Sequence, residues 1–207
     1  MDSALLRDTI RSIEPPDVAL ASDTQRRLDN LTKPIGSLGA LEDTARRLVT
    51  ATGRREPRFK ERRVLVFAAD HGVTEEGVSA YPSEVTAQMV LNFLAGGAAI
   101  NVLASHAGAK VVVVDVGVAA DLGAPDGLVE RKIACGTGNM RRQPAMERAD
   151  ALAAIEVGID IAAREMDAGA DMLAMGEMGI GNTTAATAIT SVVTGLPVSG
   201  LTGAGTG

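Results

Sequence analysis

Val64-Leu65-Val66-Phe67-Ala68-Ala69-Asp70-His71-Gly72 is the stretch on which the fold turns. Six apolar residues without polar alternation read as a strand covered on both faces, and such strands belong to parallel sheets. Asp70, His71 and Gly72 then break the run where a parallel strand would hand over to a loop. The same grammar returns at Val111–Val114, followed by Asp115-Val116-Gly117, and again at Asp171–Met175. Between these runs the chain is alanine-rich and helical in spacing. Ser83–Leu94 and Ala98–Ala107 read as helices parted by Gly96-Gly97. Met146–Asp167 carries Leu152, Ile155, Ile159, Ala162 and Met166 at steps of three and four, with Gly169 as a terminator. Residues 61–207 are therefore expected to form an α/β domain, an open parallel sheet flanked by helices in a Rossmann-like three-layer arrangement.

Residues 1–60 read differently. Pro15-Pro16 separates an opening helix from one over Ala21–Asn30, and Lys33-Pro34-Ile35-Gly36 stops the second. Leu38, Leu41, Ala45 and Leu48 then give a third helix one apolar stripe. The expectation is a small N-terminal helical appendage with little core of its own.

Composition narrows the function classes. The 207 residues carry a net charge of −6, 46% apolar and 2% aromatic content, and one cysteine, Cys135. A single thiol allows neither an intrachain disulfide nor a four-cysteine zinc cluster, and suits a reducing compartment. Two histidines and scattered acids offer no metal-ligand spacing, so neither metal nor cofactor is expected. The basic stretch Arg54–Arg63 is interrupted by Glu56 and Glu61 and contains Phe59 as its one aromatic, which serves base stacking poorly; it reads as a solvated connector. The uncharged runs Val85–Ala109 and Met178–Gly207 are too rich in Gly, Asn, Ser and Thr for membrane spans. The N-terminus lacks the basic start of a signal peptide. A cytoplasmic soluble protein is expected, without nucleic-acid or membrane partners.

The chemistry gathers at Gly176-Glu177-Met178-Gly179-Ile180-Gly181-Asn182-Thr183-Thr184, between the third strand and a helix running to about Thr194. At such a junction small residues let the backbone approach a ligand, and amides at the helix start can receive a phosphate. Asn182 or Thr183 can cap the helix or touch the anion. An ordinary tight turn before a capped helix has the same pattern. Gly200–Gly207 is a second glycine and threonine loop, read as the mark of a truncated chain, with a disordered tail as the alternative. Asp70 and His71 end a strand where ligand sites gather, but loop-orienting hydrogen bonds explain them equally. His106 reads as a helix-end residue and Cys135 as a small buried or loop residue. Asp115 stands as the one acid of Val111–Gly117, so the acidic pair that binds metal and ribose in pyrophosphate-dependent phosphoribosyltransferases is lacking.

Seven segments resemble one family in order along the chain: Lys33–Gly39, Ala69–Val73, Gly77–Pro82, Asn92–Gly97, Gly136–Met140, Gly176–Thr184 and Gly203–Gly207. The family is that of the nicotinate-nucleotide:dimethylbenzimidazole phosphoribosyltransferases of cobalamin lower-ligand assembly. The resemblance implies transfer of ribose 5-phosphate from nicotinate mononucleotide to 5,6-dimethylbenzimidazole, giving α-ribazole 5′-phosphate and nicotinate with inversion at C1′. It also implies a homodimer with a small domain built from both chain ends. By position, Gly176, Gly179, Gly181, Asn182 and Thr183, with Gly203, Gly205 and Thr206, would hold the ribose phosphate. Tyr81, Gln88, Met89 and Met178 would contact the aromatic base; Met89 reads equally as core. Glu177 would be an auxiliary carboxylate beside the base. Family members extend well beyond this length, and their phosphate-site lysine and general-base glutamate lie outside it, so the 207 residues alone are expected to be nearly inactive. The rival readings are a phosphate-binding fragment without catalysis and an assembly subunit of the same fold.

Overall fold

The computed structural model describes residues 3–205. Its centre is a four-stranded sheet in the order β3-β2-β1-β4, formed by β1 (Arg62–Ala69), β2 (Ala109–Gly117), β3 (Leu128–Glu130) and β4 (Met172–Met178). All neighbouring strands are parallel, as uninterrupted apolar runs predict. β3 was not legible in the sequence: three residues carry no period, and its place comes from pairing with Val113–Asp115 of β2. β4 also runs further than expected. Gly176, Glu177 and Met178 pair with Val66, Phe67 and Ala68 of β1, so they are strand rather than loop, and the turn contracts to Gly179–Gly181. A Cβ at Gly176 would meet the Leu65 carbonyl oxygen at 3.8 Å, an ordinary contact distance, so the ladder itself does not require glycine there.

The described residues hold seven α-helices: α1 (Ala4–Ser12), α2 (Val18–Asp29), α3 (Ala40–Thr52), α4 (Val85–Leu94), α5 (Ala99–His106), α6 (Arg148–Asp167) and α7 (Asn182–Thr194). Side chains alternate across β1 and feed two cores. Val66 and Ala68 pack with Val90, Phe93 and Ala98 from α4 and the α5 entry. Leu65 packs with Val114 and with Val157 and Ile161 of α6. The expected apolar stripe of α6 is therefore rotated: Ile155 and Met166 are exposed, and the buried line is Val157, Ile161 and Glu165. Glu165 closes that line on Arg63, Nε to Oε2 at 3.5 Å, and each of those two side chains is nearly buried. Arg63 thus leaves the solvated connector in which the sequence placed it. Val85–His106 is the one run among the described residues long and apolar enough to cross a membrane, yet the fold breaks it between α4 and α5 at Gly96, whose φ is +78°.

The chain divides into two compact units, one of Arg7–Phe59 and one from Lys60 onward together with the start of α1. In the Arg7–Phe59 unit, α2 and α3 pack on each other. The expected stripe is again displaced, with Leu38 and Leu41 exposed and Glu42 and Val49 buried. Buried Glu42 explains the Lys33-Pro34-Ile35-Gly36-Ser37-Leu38-Gly39 motif. Its Oε1 accepts from Lys33 Nζ at 2.8 Å and from the Leu38 amide at 3.2 Å, while Gln25 Nε2 donates to Oε2 at 3.4 Å. One carboxylate folds the whole loop back on α3.

Hydrogen bonding from Lys33 holds the Glu42 carboxyl below its ordinary value of 4.5, against the upward push of burial. A group depressed in the folded state contributes stability that is complete above its unfolded value and is lost as pH falls through the folded one. Urea midpoints of the intact chain, followed by circular dichroism, should therefore show Glu42→Gln weaker than wild type at neutral pH. The gap should close as pH drops below 4.5; a gap that stays constant with pH would contradict this role.

Candidate functional site

The carboxyl ends of β1, β2 and β4 converge on three loops, the usual position for ligands of an open parallel sheet. Asp70-His71-Gly72 and Gly136–Asn139 are laced together. Thr137 N–H donates to Asp70 O and Gly72 N–H to Thr137 O, each at 3.1 Å, and Asp70 Oδ2 accepts from Ala119 N–H at 2.7 Å. Gly72 is required there, since a Cβ would stand 2.5 Å from the Thr137 carbonyl oxygen. Asn139, itself buried, donates to Glu76 at 2.8 Å, and Arg141 and Arg142 pair with the same carboxylate. The Asn139 hydrogen bond is the main reason the Glu76 carboxyl lies below its ordinary value. Asp115 is likewise structural: Oδ1 accepts from Val118 N–H at 2.8 Å and Oδ2 pairs with Lys132.

The third loop is the hinge Gly179-Ile180-Gly181, which enters α7. Gly179 is buried at closest approach to β1: an added Cβ would overlap the Ala69 carbonyl oxygen and stand 2.9 Å from His71 Nε2. Gly181 has φ +84°, and its Cβ would lie 2.9 Å from Thr74 Cγ2. Both positions therefore demand glycine, one for space and one for backbone conformation as well.

Three amides around the hinge are engaged within the fold rather than turned outward. Ile180 N–H donates to Thr86 Oγ1 at 3.1 Å, Asn182 N–H to Gly179 O at 3.0 Å and Thr184 N–H to Gly181 O at 3.1 Å. Tight turn geometry engages them internally. Nor does Asn182 or Thr183 cap the helix; Gly181 occupies that position without a side-chain cap bond. What faces outward is side-chain chemistry. Glu177, Asn182, Thr183, Thr187 and Thr190 line a hollow of about 290 Å³, closed on one side by Leu201 from the terminal loop. Gly205 approaches the same place, since its Cβ would be 3.1 Å from Thr183 Oγ1. The two glycine loops singled out in the sequence thus meet at Thr183. Gly203 has open space around it, and Thr206 lies outside the described residues.

The remaining expected residues divide by strand face. Met178 packs with Met89 against the Val66, Val90 and Phe93 cluster, while Glu177 points to the opposite side of β4. Tyr81 and Gln88 are exposed near the start of α4. Cys135 is an exposed loop residue, the second of its two readings. The sequence did not reveal a larger apolar hollow of about 620 Å³ beside the site, lined by Ala69, His71, Thr137, Met140, Ile189 and Val192 among others. Its lining comes from four separated segments, which no local pattern joins. Burial holds the His71 imidazole below its ordinary 6.5, and the charges of Glu177 and Asp70 pull the other way. His71 is therefore a neutral ring at physiological pH, able both to donate and to accept a hydrogen bond.

A family model described as phosphoribosyltransferase matches residues 13–207. The nicotinate-nucleotide–dimethylbenzimidazole phosphoribosyltransferase of Chloroflexus aggregans is 57% identical over 204 residues, covering 99% of this chain and 58% of that protein. The enzyme of the same name from Geobacter sulfurreducens is 56% identical over 203 residues, 98% of this chain and 58% of its own length. Among solved structures, CobT from Thermus thermophilus superposes with a TM-score of 0.88 at 50% identity, over 91% of this chain and 57% of that one. The chain thus spans 58% of the length of the curated relatives it matches.

Two outcomes follow from the geometry. Gly179→Ala should destabilise the chain by about 2 kcal/mol or more, because the strand end must move to admit a methyl group; an unchanged urea midpoint would contradict the packing. In NMR titration the His71 ring should protonate below 6.5, and Glu177→Gln should lower its midpoint further by removing a charge that favours the imidazolium. A midpoint that does not fall in the variant would show that Glu177 does not act on this ring.

Proposed function

The chain belongs to the phosphoribosyltransferase family whose model it matches, and from that premise we propose that it carries the donor-binding half of a ribose 5-phosphate transfer. The donor is nicotinate mononucleotide and the acceptor 5,6-dimethylbenzimidazole, the pair contained in the names of its relatives. One observation carries the proposal: Glu177, Asn182 and Thr183 line a single hollow at the strand-to-helix junction of β4 and α7, and the terminal loop reaches it at Gly205. Hydroxyl and amide side chains at a helix start suit a phosphate, with the helix dipole adding about 0.3 to 1 kcal/mol.

The chemistry asks little of the protein beyond placement. The C1′–N bond to the pyridinium breaks, its electron pair neutralising the ring nitrogen, while an imidazole nitrogen of the acceptor bonds C1′ from the opposite face. The acceptor's N–H proton must then pass to a base. Glu177 is the carboxylate at the hollow and serves as an auxiliary group. Tyr81, Gln88, Met89 and Met178 would contact the flat base, with the two methionines supplying an adaptable apolar surface. The resemblance puts the principal base and a phosphate-site lysine outside these 207 residues, so the chain alone is proposed to hold the donor with little turnover. It would work as a cytoplasmic homodimer on small molecules, with neither nucleic acid nor membrane as partner. The net charge of −6 disfavours the last two partners, both polyanionic.

Calorimetry with nicotinate mononucleotide, paired with chromatographic detection of α-ribazole 5′-phosphate, tests both halves. Binding should be measurable and should weaken about tenfold in Thr183→Ala, as expected on losing a hydrogen bond to a charged group. Absence of binding in the wild-type chain would sink the donor reading. Turnover matching that of the full-length relatives would refute the need for a base outside the chain.

A further inference from the structure

Thr86 lies in the first turn of α4 with no exposed surface. A hydroxyl in such a place needs a partner. The partner comes from 94 residues away: Ile180 N–H donates to Thr86 Oγ1 at 3.1 Å. Ile180 is itself buried, so its amide has no recourse to solvent, and it sits between the two hinge glycines. Glycine on either side leaves the hinge backbone wide conformational freedom that tertiary contacts must restrict. A directional bond at its centre fixes the point from which Asn182 and Thr183 depart. α4 also bears Gln88 and Met89, so this one bond links the helix of the base-contacting residues to the hinge of the phosphate-contacting ones.

We propose that Thr86 is a positioning residue for the transfer: its hydroxyl holds the Gly179–Gly181 hinge against α4 and thereby sets the separation between the bound ribose phosphate and the incoming base. The inference rests on the assignment of Asn182 and Thr183 to the phosphate and of Gln88 and Met89 to the base. Backside displacement at C1′ is sensitive to this separation, since a misplacement of about 1 Å can cost on the order of a hundredfold in rate.

Thr86→Val keeps the shape and removes the acceptor, leaving a buried N–H unpaired; Thr86→Ser keeps the hydroxyl. Both are compared with wild type in the intact chain by two readouts: calorimetric affinity for nicotinate mononucleotide and NMR amide exchange at Ile180. Thr86→Val should weaken binding and accelerate Ile180 exchange, each by about tenfold or more, while Thr86→Ser stays within about threefold of wild type in both. Should the valine variant not fold, Thr86→Ala removes the same acceptor without adding bulk. Unchanged affinity in the folded variant lacking the hydroxyl overturns the proposal, as does a serine variant as impaired as the valine one. If wild type binds no mononucleotide, the phosphate assignment is what fails. The exchange rate then judges the tether separately, and an Ile180 amide as protected in Thr86→Val as in wild type refutes it.

Discussion

The closest approach of β4 to β1 governs the site. At Gly179 the chain passes so near the Ala69 carbonyl and the His71 ring that no side chain fits. Volume exclusion there does three things together. It lets β4 keep its parallel register with β1 up to Met178 opposite Ala68, brings His71 against the start of the hinge, and leaves Gly181 to turn through the left-handed region into α7. A bulkier residue would push β4 away from β1 and widen the junction that carries the candidate phosphate contacts Asn182 and Thr183. Close packing of this kind is rigid in its response, because an interior at crystal-like density has little slack to absorb a methyl group.

The sheet was legible because its signal is local. Val64–Ala69 and Val111–Val114 declare buried parallel strands by composition alone, and the glycines after them announce the turns. Helix faces were harder to read. In α6 the regular spacing of Leu152, Ile155, Ile159, Ala162 and Met166 indicated a helix, but an alanine-rich helix offers several apolar stripes, and tertiary packing on Leu65 and Val114 selected the one through Val157 and Ile161. α3 shows the same effect more sharply, since its buried face includes a carboxylate. No periodicity argument would bury Glu42 in preference to Leu41, because the reason is the loop that Glu42 organises by receiving Lys33, Gln25 and the Leu38 amide. The β3 strand and the apolar hollow beside His71 depend on segments distant in sequence and have no local signature.

The site was half visible for a related reason. Glycine and threonine content located the two loops, and the structure brings them together at Thr183. The sequence does not say which groups are left over after folding. Three amides at the start of α7 looked available until the hinge geometry showed them satisfied by Thr86 Oγ1 and by the carbonyls of Gly179 and Gly181. A threonine in the apolar run that opens α4 was the one available hint of this, since a lone hydroxyl on a buried helix face has to answer a polar group elsewhere.

That internal satisfaction changes what kind of recognition the junction performs. A glycine loop that offers free amides binds a phosphate with donors fixed by the backbone, as in phosphate-cradling loops. Here three backbone amides are committed to holding the hinge, and on the proposed reading recognition falls to side chains around the hollow, Asn182 and Thr183 beside Thr187 and Thr190. Hydroxyl donors rotate, so an anion bound as proposed would be held less by preformed direction than by the position of α7 itself. On that reading, placement of the ribose would come from whatever fixes the helix start: the exclusion at Gly179, the left-handed turn at Gly181 and the buried bond to Thr86. Residues that do not line the hollow would in this arrangement be the ones that define its geometry.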